Sequence, residues 1–382
     1  MKRIGWFVVV LGMLAGLLPL SARAVDMEIP AKSALLMDVA TGTVLYEENA
    51  HEALPPASVT KVMTMLLIME AIDGGRIGWE DTVTASDTAA AKGGSQIYLK
   101  VGETMTVRDM VKSIAVSSAN DCACAMAEHI AGSEAAFVDM MNEKAKELGM
   151  NDTKFVNCTG LDDDAAAAEH KTSAYDIALM SRELLGKHPA IKEFTTIWMD
   201  TVRGGTFGLS NTNKLVRFYS GATGLKTGFT AAAGYCLSAS AMREDMELVA
   251  VVLGSETSQQ RFAACKSLLD YGFAGFAVVL PRLEETAAVP VKLGTVPAVT
   301  AILSEPAPML VEKGQKKLIT TRLQLEAEVT APVSRGQRLG TLEVVAGEQI
   351  LAQLPLVAEE AVEKVTWWQM YRSLLKKLAL GE

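Results

Sequence analysis

The sequence predicts an α+β domain over residues 25–282, a small all-β domain over 283–358 and a C-terminal amphipathic helix over 359–382. The α+β prediction depends on strand-like segments at both ends of the first region, with helical segments between them. The all-β prediction depends on a change of composition near Leu280, after which Val, Thr, Pro and Gly become more frequent and short strand-like runs follow one another. The helix is indicated by aromatic and apolar residues at helical spacing near the end of the chain.

The N-terminal segment, at positions 1–24, has the pattern of a secretory signal peptide. Lys2 and Arg3 precede an apolar run at positions 4–20, and an Ala-x-Ala site ends at Ala24. We expect export and cleavage after this site. The alternative is an uncleaved membrane anchor, because the length of this apolar run lies at the short end of what spans a bilayer.

Composition excludes several classes of protein. The chain has 382 residues, 49% of them hydrophobic and 21% charged, so it can bury a sizeable core and is not a disordered chain. Its formal net charge is -9 and becomes -12 when residues 1–24 are removed, which argues against nucleic acid as a partner. Five cysteines are too few for a disulfide framework, and an odd number cannot all pair within one chain, so we expect them to be buried. The four histidines lack the spacing of a zinc site, so no metal or cofactor is expected.

The α+β region contains, in chain order, a predicted strand hairpin, four helices, two strands and a closing helix, at residues 33–46, 58–72, about 107–130, 133–149, 173–186, 235–241, 247–254 and 261–271. Nearly all positions of the helix at 58–72 are apolar, so we expect it to be buried on all sides. Ser133 and Ser173 stand where a helix N-cap is expected, and Gly149 and Gly186 where the same helices should end.

The last segment has two chemically different helical faces. We place on one face Trp368, Tyr371, Leu375 and Leu378, and around the other Arg372, Lys376 and Lys377. Such a helix can lie in a membrane interface. The alternative is a helix docked on the β-rich domain.

A serine and a lysine at S-x-x-K spacing open the predicted buried helix. Ser58 and Lys61 lie on the same helical face, so the hydroxyl and the amine can touch. Lysine can deprotonate the serine only if its pKa falls from about 10.4 by about three units, and burial shifts the pKa in that direction. The helix N-terminus also favours the oxyanion that follows attack on a carbonyl. The same spacing at Ser373 and Lys376 lies in the amphipathic tail, where solvent or lipid would leave the lysine charged.

Two further segments contain groups suited to peptide chemistry. Ser118 offers a hydroxyl for proton relay and Asn120 an amide that can hold a peptide group, although the pair is also typical of an ordinary helix cap. Lys226 would supply positive charge, and Gly228 would let a substrate backbone approach the edge of a strand. The alternative for Lys226-Thr227-Gly228 is a turn ahead of a strand.

The chain resembles the penicillin-binding serine enzymes in three motifs, which occur in the same order. They are Ser58-x-x-Lys61, Ser118-x-Asn120 and Lys226-Thr227-Gly228. The intervals from Ser58 to Ser118 and from Ser118 to Lys226 are similar to those of that class. Four longer segments narrow the resemblance to the D-alanyl-D-alanine carboxypeptidases among the low-molecular-mass penicillin-binding proteins. These segments are PPASVTKVMT, AVSSANDCACAMAEHIAG, HKTSAYDIALMSRELL and GATGLKTGFT. The resemblance covers almost the whole chain, since that family also has a signal peptide, a β-rich C-terminal domain and a terminal amphipathic anchor.

The resemblance implies a penicillin-binding, β-lactamase-like transpeptidase fold for the first domain and a role for each motif residue. Ser58 would be the acylated nucleophile and Lys61 its general base. Ser118 would pass the proton toward the leaving amine, while Asn120 holds the substrate. Lys226 would hydrogen-bond to Ser118 and provide positive potential.

The resemblance also implies how the substrate is bound. Thr227 and Gly228 would line the strand beside it, and the oxyanion hole would consist of the backbone N–H groups of Ser58 and Phe229. Arg261 matches the position that binds the terminal carboxylate; the alternative is a surface arginine. Alanine runs occur at 165–168 and 231–233, where the family usually has a shorter or more polar sequence. The resemblance therefore does not imply which residues contact the substrate at the rim of the site, or which substrate is preferred.

The implied function is a serine D,D-carboxypeptidase that removes the terminal D-alanine from peptidoglycan pentapeptide stems through an acyl-enzyme. Such an enzyme is acylated and inhibited by β-lactams, acts in cell-wall biogenesis without a cofactor, and is held at the outer face of the cytoplasmic membrane by its C-terminal helix. One alternative is a serine β-lactamase, which uses a glutamate to drive deacylation by water. The segment that begins at Glu147 superficially copies the spacing of that glutamate. We expect Glu147 instead to be exposed at a helix end capped by Gly149. The other alternative is a membrane-tethered binding or scaffolding protein with an inactive site.

Overall fold

The structure is a computed structural model that describes residues 27–163, 165–283, 287–305 and 308–380. The predicted signal peptide at 1–24 lies outside the described residues. The described chain forms two compact units, one ending at Ala277 and the other beginning at Val278.

The first unit combines helices with a five-stranded antiparallel sheet and two two-stranded antiparallel sheets. Its strands are β1 Ser33–Asp38, β2 Val44–Glu48, β3 Thr82–Thr84, β4 Thr104–Thr106, β5 Met199–Val202, β6 Phe207–Ser210, β7 Ala222–Thr230, β8 Gly234–Arg243 and β9 Met246–Ser255. Its helices are α1 Lys61–Asp73, α2 Asp87–Ala90, α3 Val107–Ser117, α4 Asn120–Ala131, α5 Glu134–Glu147, α6 Ala174–Lys187, α7 Lys192–Thr195, α8 Leu215–Phe218 and α9 Ser258–Gly275. Short 3-10 turns occupy Ala57–Thr60, Ala165–Glu169 and Pro189–Ile191.

The five-stranded sheet has the order β2-β1-β9-β8-β7, so β7 is an edge strand, and the two-stranded sheets are β3-β4 and β5-β6. β9 is almost continuously buried because α6 and α9 both pack on it. This explains why its sequence is a run of apolar residues rather than an alternating pattern. The edge position of β7 leaves one row of its backbone groups available to a second chain.

α1 lies at the centre of the first unit, as its uniformly apolar sequence predicts. Every side chain from Lys61 to Met69 is buried, and the helix contacts α3, α4, α5 and α6. The single charged group in this buried stretch is therefore Lys61, which stands at the first position of the helix.

The prediction of one helix at 107–130 is wrong, because the structure has two helices there, α3 and α4. Ser118 adopts a left-handed conformation, with φ 64° and ψ 28°, and ends α3. The N–H of Ala119 donates to the carbonyl of Ser113, and Asn120 begins α4. A left-handed residue is expected at a helix end, but glycine is usual there, so Ser118 gives no local signal of the break.

Other boundaries differ less. Lys226-Thr227-Gly228 lies within β7, in agreement with the strand that the resemblance implied for Thr227 and Gly228, rather than in a turn ahead of a strand. Gly186 lies inside α6, which continues to Lys187, whereas Ser133 and Ser173 are N-caps as predicted. The structure describes all five cysteines, and each is buried with a free thiol, in agreement with the prediction.

The second unit is β-rich and ends in a helix. A short strand, β10 Phe276–Val279, crosses the boundary, and the remaining elements are β11 Ala287–Lys292, β12 Ala298–Leu303, β13 Met309–Glu312, β14 Ile319–Leu325, β15 Val329–Thr330, β16 Arg338–Ala346, β17 Gln349–Ala358 and α10 Trp367–Leu380. The order β14-β16-β17-β12-β11-β15 forms a six-stranded sheet, whose core includes Val289, Leu339 and Leu356. Along β11, buried and exposed residues alternate, which is typical of a sheet with one face covered.

α10 exposes the aromatic residues at its start. Trp367 and Trp368 are 65% and 66% exposed, and Tyr371 stacks on the Trp367 ring at 5.5 Å. Within the part of the chain that the structure describes, no helix is long and apolar enough to cross a bilayer.

Candidate active site

A serine hydroxyl and a buried amine meet at the N-terminus of α1. The Nζ atom of Lys61 lies 3.0 Å from Oγ of Ser58, and it also donates to the carbonyl of Thr159 at 2.8 Å. Lys61 is fully buried, and the cost of burying an ammonium ion lowers its pKa to about 7. An amine with that pKa is partly unprotonated at neutral pH and can take the proton of Ser58.

The turn that carries Ser58 is held by its neighbours. Ala57 adopts a positive φ of 48°, and its carbonyl accepts from the hydroxyl of Thr60 at 2.8 Å. Oγ1 of Thr60 in turn lies 2.8 Å from Nε2 of His170. Because Nδ1 of His170 accepts from the N–H of Val156, Nε2 carries the proton and donates to Thr60.

Ser118 and Asn120 lie at the junction of α3 and α4. The left-handed conformation of Ser118 lets the chain turn between the two helices, and both side chains are buried. Nδ2 of Asn120 donates to the carbonyl of Gly93 at 2.8 Å, whereas its Oδ1 is buried and has no hydrogen-bond partner among the described residues. A buried acceptor without a partner is costly unless a ligand supplies the donor.

β7 carries the third motif against the serine turn. A Cβ atom added to Gly228 would lie 2.6 Å from the carbonyl oxygen of Pro56 and 3.1 Å from the N of Val59. Only glycine therefore permits this approach of strand to turn. The hydroxyl of Thr227 donates to that of Thr212 at 2.7 Å.

Lys226 is buried and close to other cations. Burial, followed by repulsion from Lys61 and Arg261, lowers its pKa well below the ordinary value. Its Nζ donates to the carbonyl of Thr227 at 2.9 Å, and the hydrogen bond to Ser118 stays a prediction.

Arg261 is a buried residue rather than a surface arginine. Its Nη1 donates to the carbonyls of Gly228 and Cys236, at 2.9 Å and 3.2 Å, and its Nη2 to Oγ of Ser258. Burial lowers its pKa, and its Nε has no hydrogen-bond partner among the described residues. Arg261 thus supports the strand that carries Gly228, and its binding of a substrate carboxylate stays a prediction.

Phe229 follows the third motif on β7. Its side chain is 54% exposed and packs on the ring of Tyr235 at 4.3 Å between centroids. The role of its backbone N–H in an oxyanion hole stays a prediction.

The sequence analysis missed the loop that positions Lys61. Oδ1 of Asn157 accepts from the N–H groups of Thr159 and Gly160, which is an Asx-type turn. A Cβ atom on Gly160 would lie 1.8 Å from the Ala57 carbonyl oxygen, so the glycine allows this loop to reach the serine turn. The Asn and Gly of NCTG were the available signal of a tight turn, but nothing local relates them to a lysine 98 residues away.

The fold and these groups define a class of protein. A serine beside a buried lysine, an asparagine at a helix start and a Lys-Thr-Gly edge strand are the residue types and elements that mark penicillin-binding serine enzymes. Such a site can carry out acyl transfer through the serine.

The chain belongs to the D-alanyl-D-alanine carboxypeptidase family, whose sequence profile matches residues 20–257. A second profile, described as penicillin-binding protein 5, C-terminal domain, matches residues 280–364. The chain is 44% identical to the D-alanyl-D-alanine carboxypeptidase DacF of Bacillus subtilis over 348 residues, which cover 90% of this chain and 88% of the relative. It is therefore a serine-type D-Ala-D-Ala carboxypeptidase.

Solved structures agree with this assignment. Penicillin-binding protein 5 from Haemophilus influenzae superposes with a TM-score of 0.74 at 28% identity, covering 90% of this chain and 100% of that one. Penicillin-binding protein D2 from Listeria monocytogenes, solved in its ampicillin-bound form, has a TM-score of 0.57 at 33% identity, covering 65% of this chain and 99% of that one.

The prediction for Glu147 is also confirmed, because its side chain is 65% exposed and pairs with Lys144 at the end of α5.

Proposed function

We propose that Ser58 attacks the carbonyl of the penultimate D-alanine of a peptidoglycan stem peptide and that Lys61 is its base. The contact of 3.0 Å between Nζ of Lys61 and Oγ of Ser58, inside an apolar surrounding, is the observation that carries this proposal. The Oγ proton passes to Nζ as the Oγ–C bond forms. Ser118 then relays a proton to the leaving amine, the C–N bond breaks, and D-alanine departs. Water hydrolyses the resulting ester of Ser58.

The remaining motif residues hold the substrate. Oδ1 of Asn120, which has no partner among the described residues, accepts from a substrate amide N–H. The edge of β7 at Thr227 and Gly228 pairs with the extended stem peptide, and the N–H groups of Ser58 and Phe229 bind the oxyanion. Arg261 provides positive potential toward the terminal carboxylate of the substrate, and Lys226 does so in its protonated form, which the approaching carboxylate favours.

A β-lactam contains the same kind of acyl group and acylates the same serine. This proposal is supported by the similarity to the ampicillin-bound protein from Listeria monocytogenes. The signal sequence at 1–24 exports the chain, and α10 holds the mature protein at the outer face of the cytoplasmic membrane, where its substrate lies.

The first test is the intact mass of the mature protein after mixing with benzylpenicillin, for the wild type, Ser58→Ala and Ser373→Ala. The last variant is a matched control, since Ser373 has the same S-x-x-K spacing in the tail. We expect a persistent adduct of one penicillin in the wild type and in Ser373→Ala, and none in Ser58→Ala. D-Alanine release from a D-Ala-D-Ala peptide should follow the same pattern.

Two results would overturn the proposal. Rapid hydrolysis of the drug without a lasting adduct would indicate a β-lactamase. Intact drug, no adduct and no D-alanine release would indicate a binding protein with an inactive site.

A further inference from the structure

The carboxylate of Glu134 lies beneath the active site, in the first turn of α5. Its Oε2 accepts from Nζ of Lys92 at 2.6 Å, and its Oε1 accepts from both the N–H and the thiol of Cys158 at 3.2 Å. The side chains of Glu134 and Lys92 are only 18% and 21% exposed. Burial alone would raise the pKa of Glu134, but the hydrogen bonds from Lys92 and Cys158 outweigh it and lower the pKa, so the group is an anion.

Two of the partners of Glu134, Lys92 and Cys158, are each one residue away from a carbonyl that holds a catalytic side chain. Lys92 precedes Gly93, whose carbonyl accepts from Nδ2 of Asn120 at 2.8 Å. Cys158 precedes Thr159, whose carbonyl accepts from Nζ of Lys61 at 2.8 Å. One carboxylate thus connects two loops, and each loop orients a different motif.

We propose that Glu134 is a positioning residue that holds the Gly93 and Thr159 carbonyls in place, and through them Asn120 and Lys61. The inference rests on the proposed function of that site. It adds a residue that lies outside the three motifs and does not itself touch the substrate.

The orientation of each side chain matters for a chemical reason. A neutral lysine has two N–H donors and one lone pair, so donation to the Thr159 carbonyl restricts how the lone pair can be directed at the Ser58 hydroxyl. Nδ2 of Asn120 donates to the carbonyl of Gly93, which leaves Oδ1 of the same amide free to accept from a substrate N–H. A shift of either loop therefore changes reactivity and substrate binding together.

The test compares Glu134→Gln with a matched control, Glu70→Gln. Glu70 on α1 pairs with Lys144 on α5 at 2.8 Å, and their side chains are 24% and 12% exposed. This ion pair is buried to a similar degree and, like that of Glu134, involves a residue of α5. We expect both variants to lose a comparable part of their thermal stability. Glu134→Gln should also lower kcat by about tenfold and raise KM by severalfold, because small displacements of catalytic groups are costly. Glu70→Gln should change neither by more than about twofold.

A second pair of variants tests the same contact from the other partner. Lys92→Arg keeps a cation beside Glu134 and should remain close to the wild type, whereas Lys92→Met should raise KM, because it loosens the loop that holds Asn120. This pair also serves if Glu134→Gln fails to fold. Equal kinetics in Glu134→Gln and Glu70→Gln, or in Lys92→Met and Lys92→Arg, would overturn the inference.

Acylation of the wild type at Ser58 is measured in the same experiment. If the wild type is not acylated at Ser58, the proposed function itself is refuted. The ratio of kcat and KM values between matched variants reports on Glu134 alone.

Discussion

At the scale of single residues, the proposed chemistry depends on the fully buried amine of Lys61. Lys61 is surrounded by apolar groups of α1 and its neighbours, and its nearest polar contacts are a hydroxyl and a carbonyl rather than a carboxylate. Because no carboxylate of the described residues hydrogen-bonds to this amine, burial is the dominant influence and the pKa falls to about 7. Lys61 is therefore suited to the role of base that we propose for it, since it is partly unprotonated near neutral pH.

This pKa predicts how acylation depends on pH. Only the unprotonated Lys61 can accept the Ser58 proton, so the rate constant for acylation by benzylpenicillin should rise through pH 7 and level off above about pH 8. At pH 5 about one amine in a hundred is neutral, and the rate should be about 100-fold below the plateau. The measurement is the rate of adduct formation, with circular dichroism at each pH to show that the protein stays folded. A rate that does not change between pH 5 and pH 9 would refute Lys61 as the base.

At the scale of elements, the site is built where an edge strand meets a helix N-terminus. β7 approaches the 3-10 turn of Ser58 closely enough that Gly228 contacts the backbone of Pro56 and Val59. Arg261 of α9 holds the carbonyl of Gly228 from behind. Gly228 and the buried Arg261 thus set the distance between β7 and the turn that carries Ser58.

Adding a single methyl group at Gly228 should separate these two elements. In Gly228→Ala the new Cβ would lie 2.6 Å from the Pro56 carbonyl oxygen, so β7 must move away from the turn. We expect acylation to slow by at least about tenfold and stability to fall by about 1–3 kcal/mol. The measurements are adduct formation by mass and thermal unfolding.

The matched control is Gly208→Ala in β6, where an added Cβ would have no heavy atom within 4 Å among the described residues. This variant should acylate at the rate of the wild type. If Gly228→Ala reacts as fast as Gly208→Ala, the close approach of β7 to the turn is not required for catalysis.

At the scale of the whole molecule, one unit holds the active site and the other ends in the helix that we propose as the anchor. The start of α10 is tied to its own unit, because the N–H of Val365 donates to the carbonyl of Leu293 and Thr366 caps the helix through Gln369. The exposed aromatic rings of Trp367, Trp368 and Tyr371 are of the kind that partition into a membrane interface.

Removal of residues 367–382 should therefore release the mature protein from membranes without loss of acylation. The measurement is the fraction that sediments with vesicles of anionic phospholipid, together with the penicillin adduct. Phe218→Ser is the control, because Phe218 is 75% exposed but lies in the first unit, outside the proposed anchor. Undiminished sedimentation of the truncated chain would show that α10 is not the anchor.

Much of the site could be predicted from the sequence because it consists of three short motifs with recognisable chemistry. Ser58 lies in the 3-10 turn and Lys61 is the first residue of α1, three residues further on, so local geometry alone brings them together. By contrast, the partners that orient Lys61 and Asn120 lie 98 and 27 residues away in the chain, at Thr159 and Gly93. No local pattern could have identified them, and Glu134 was missed for the same reason.

The sequence by itself determined the α+β region followed by a β-rich region, the buried character of α1 and the residue types of the three motifs. These follow from periodicity, composition and fixed spacing within single elements. Only the tertiary structure decided that Ser118 separates two helices, that the Lys-Thr-Gly motif is an edge strand and that Arg261 is buried behind that strand. The physical reason is that these features depend on contacts between distant segments, whose energies are not encoded in any one local stretch of the chain.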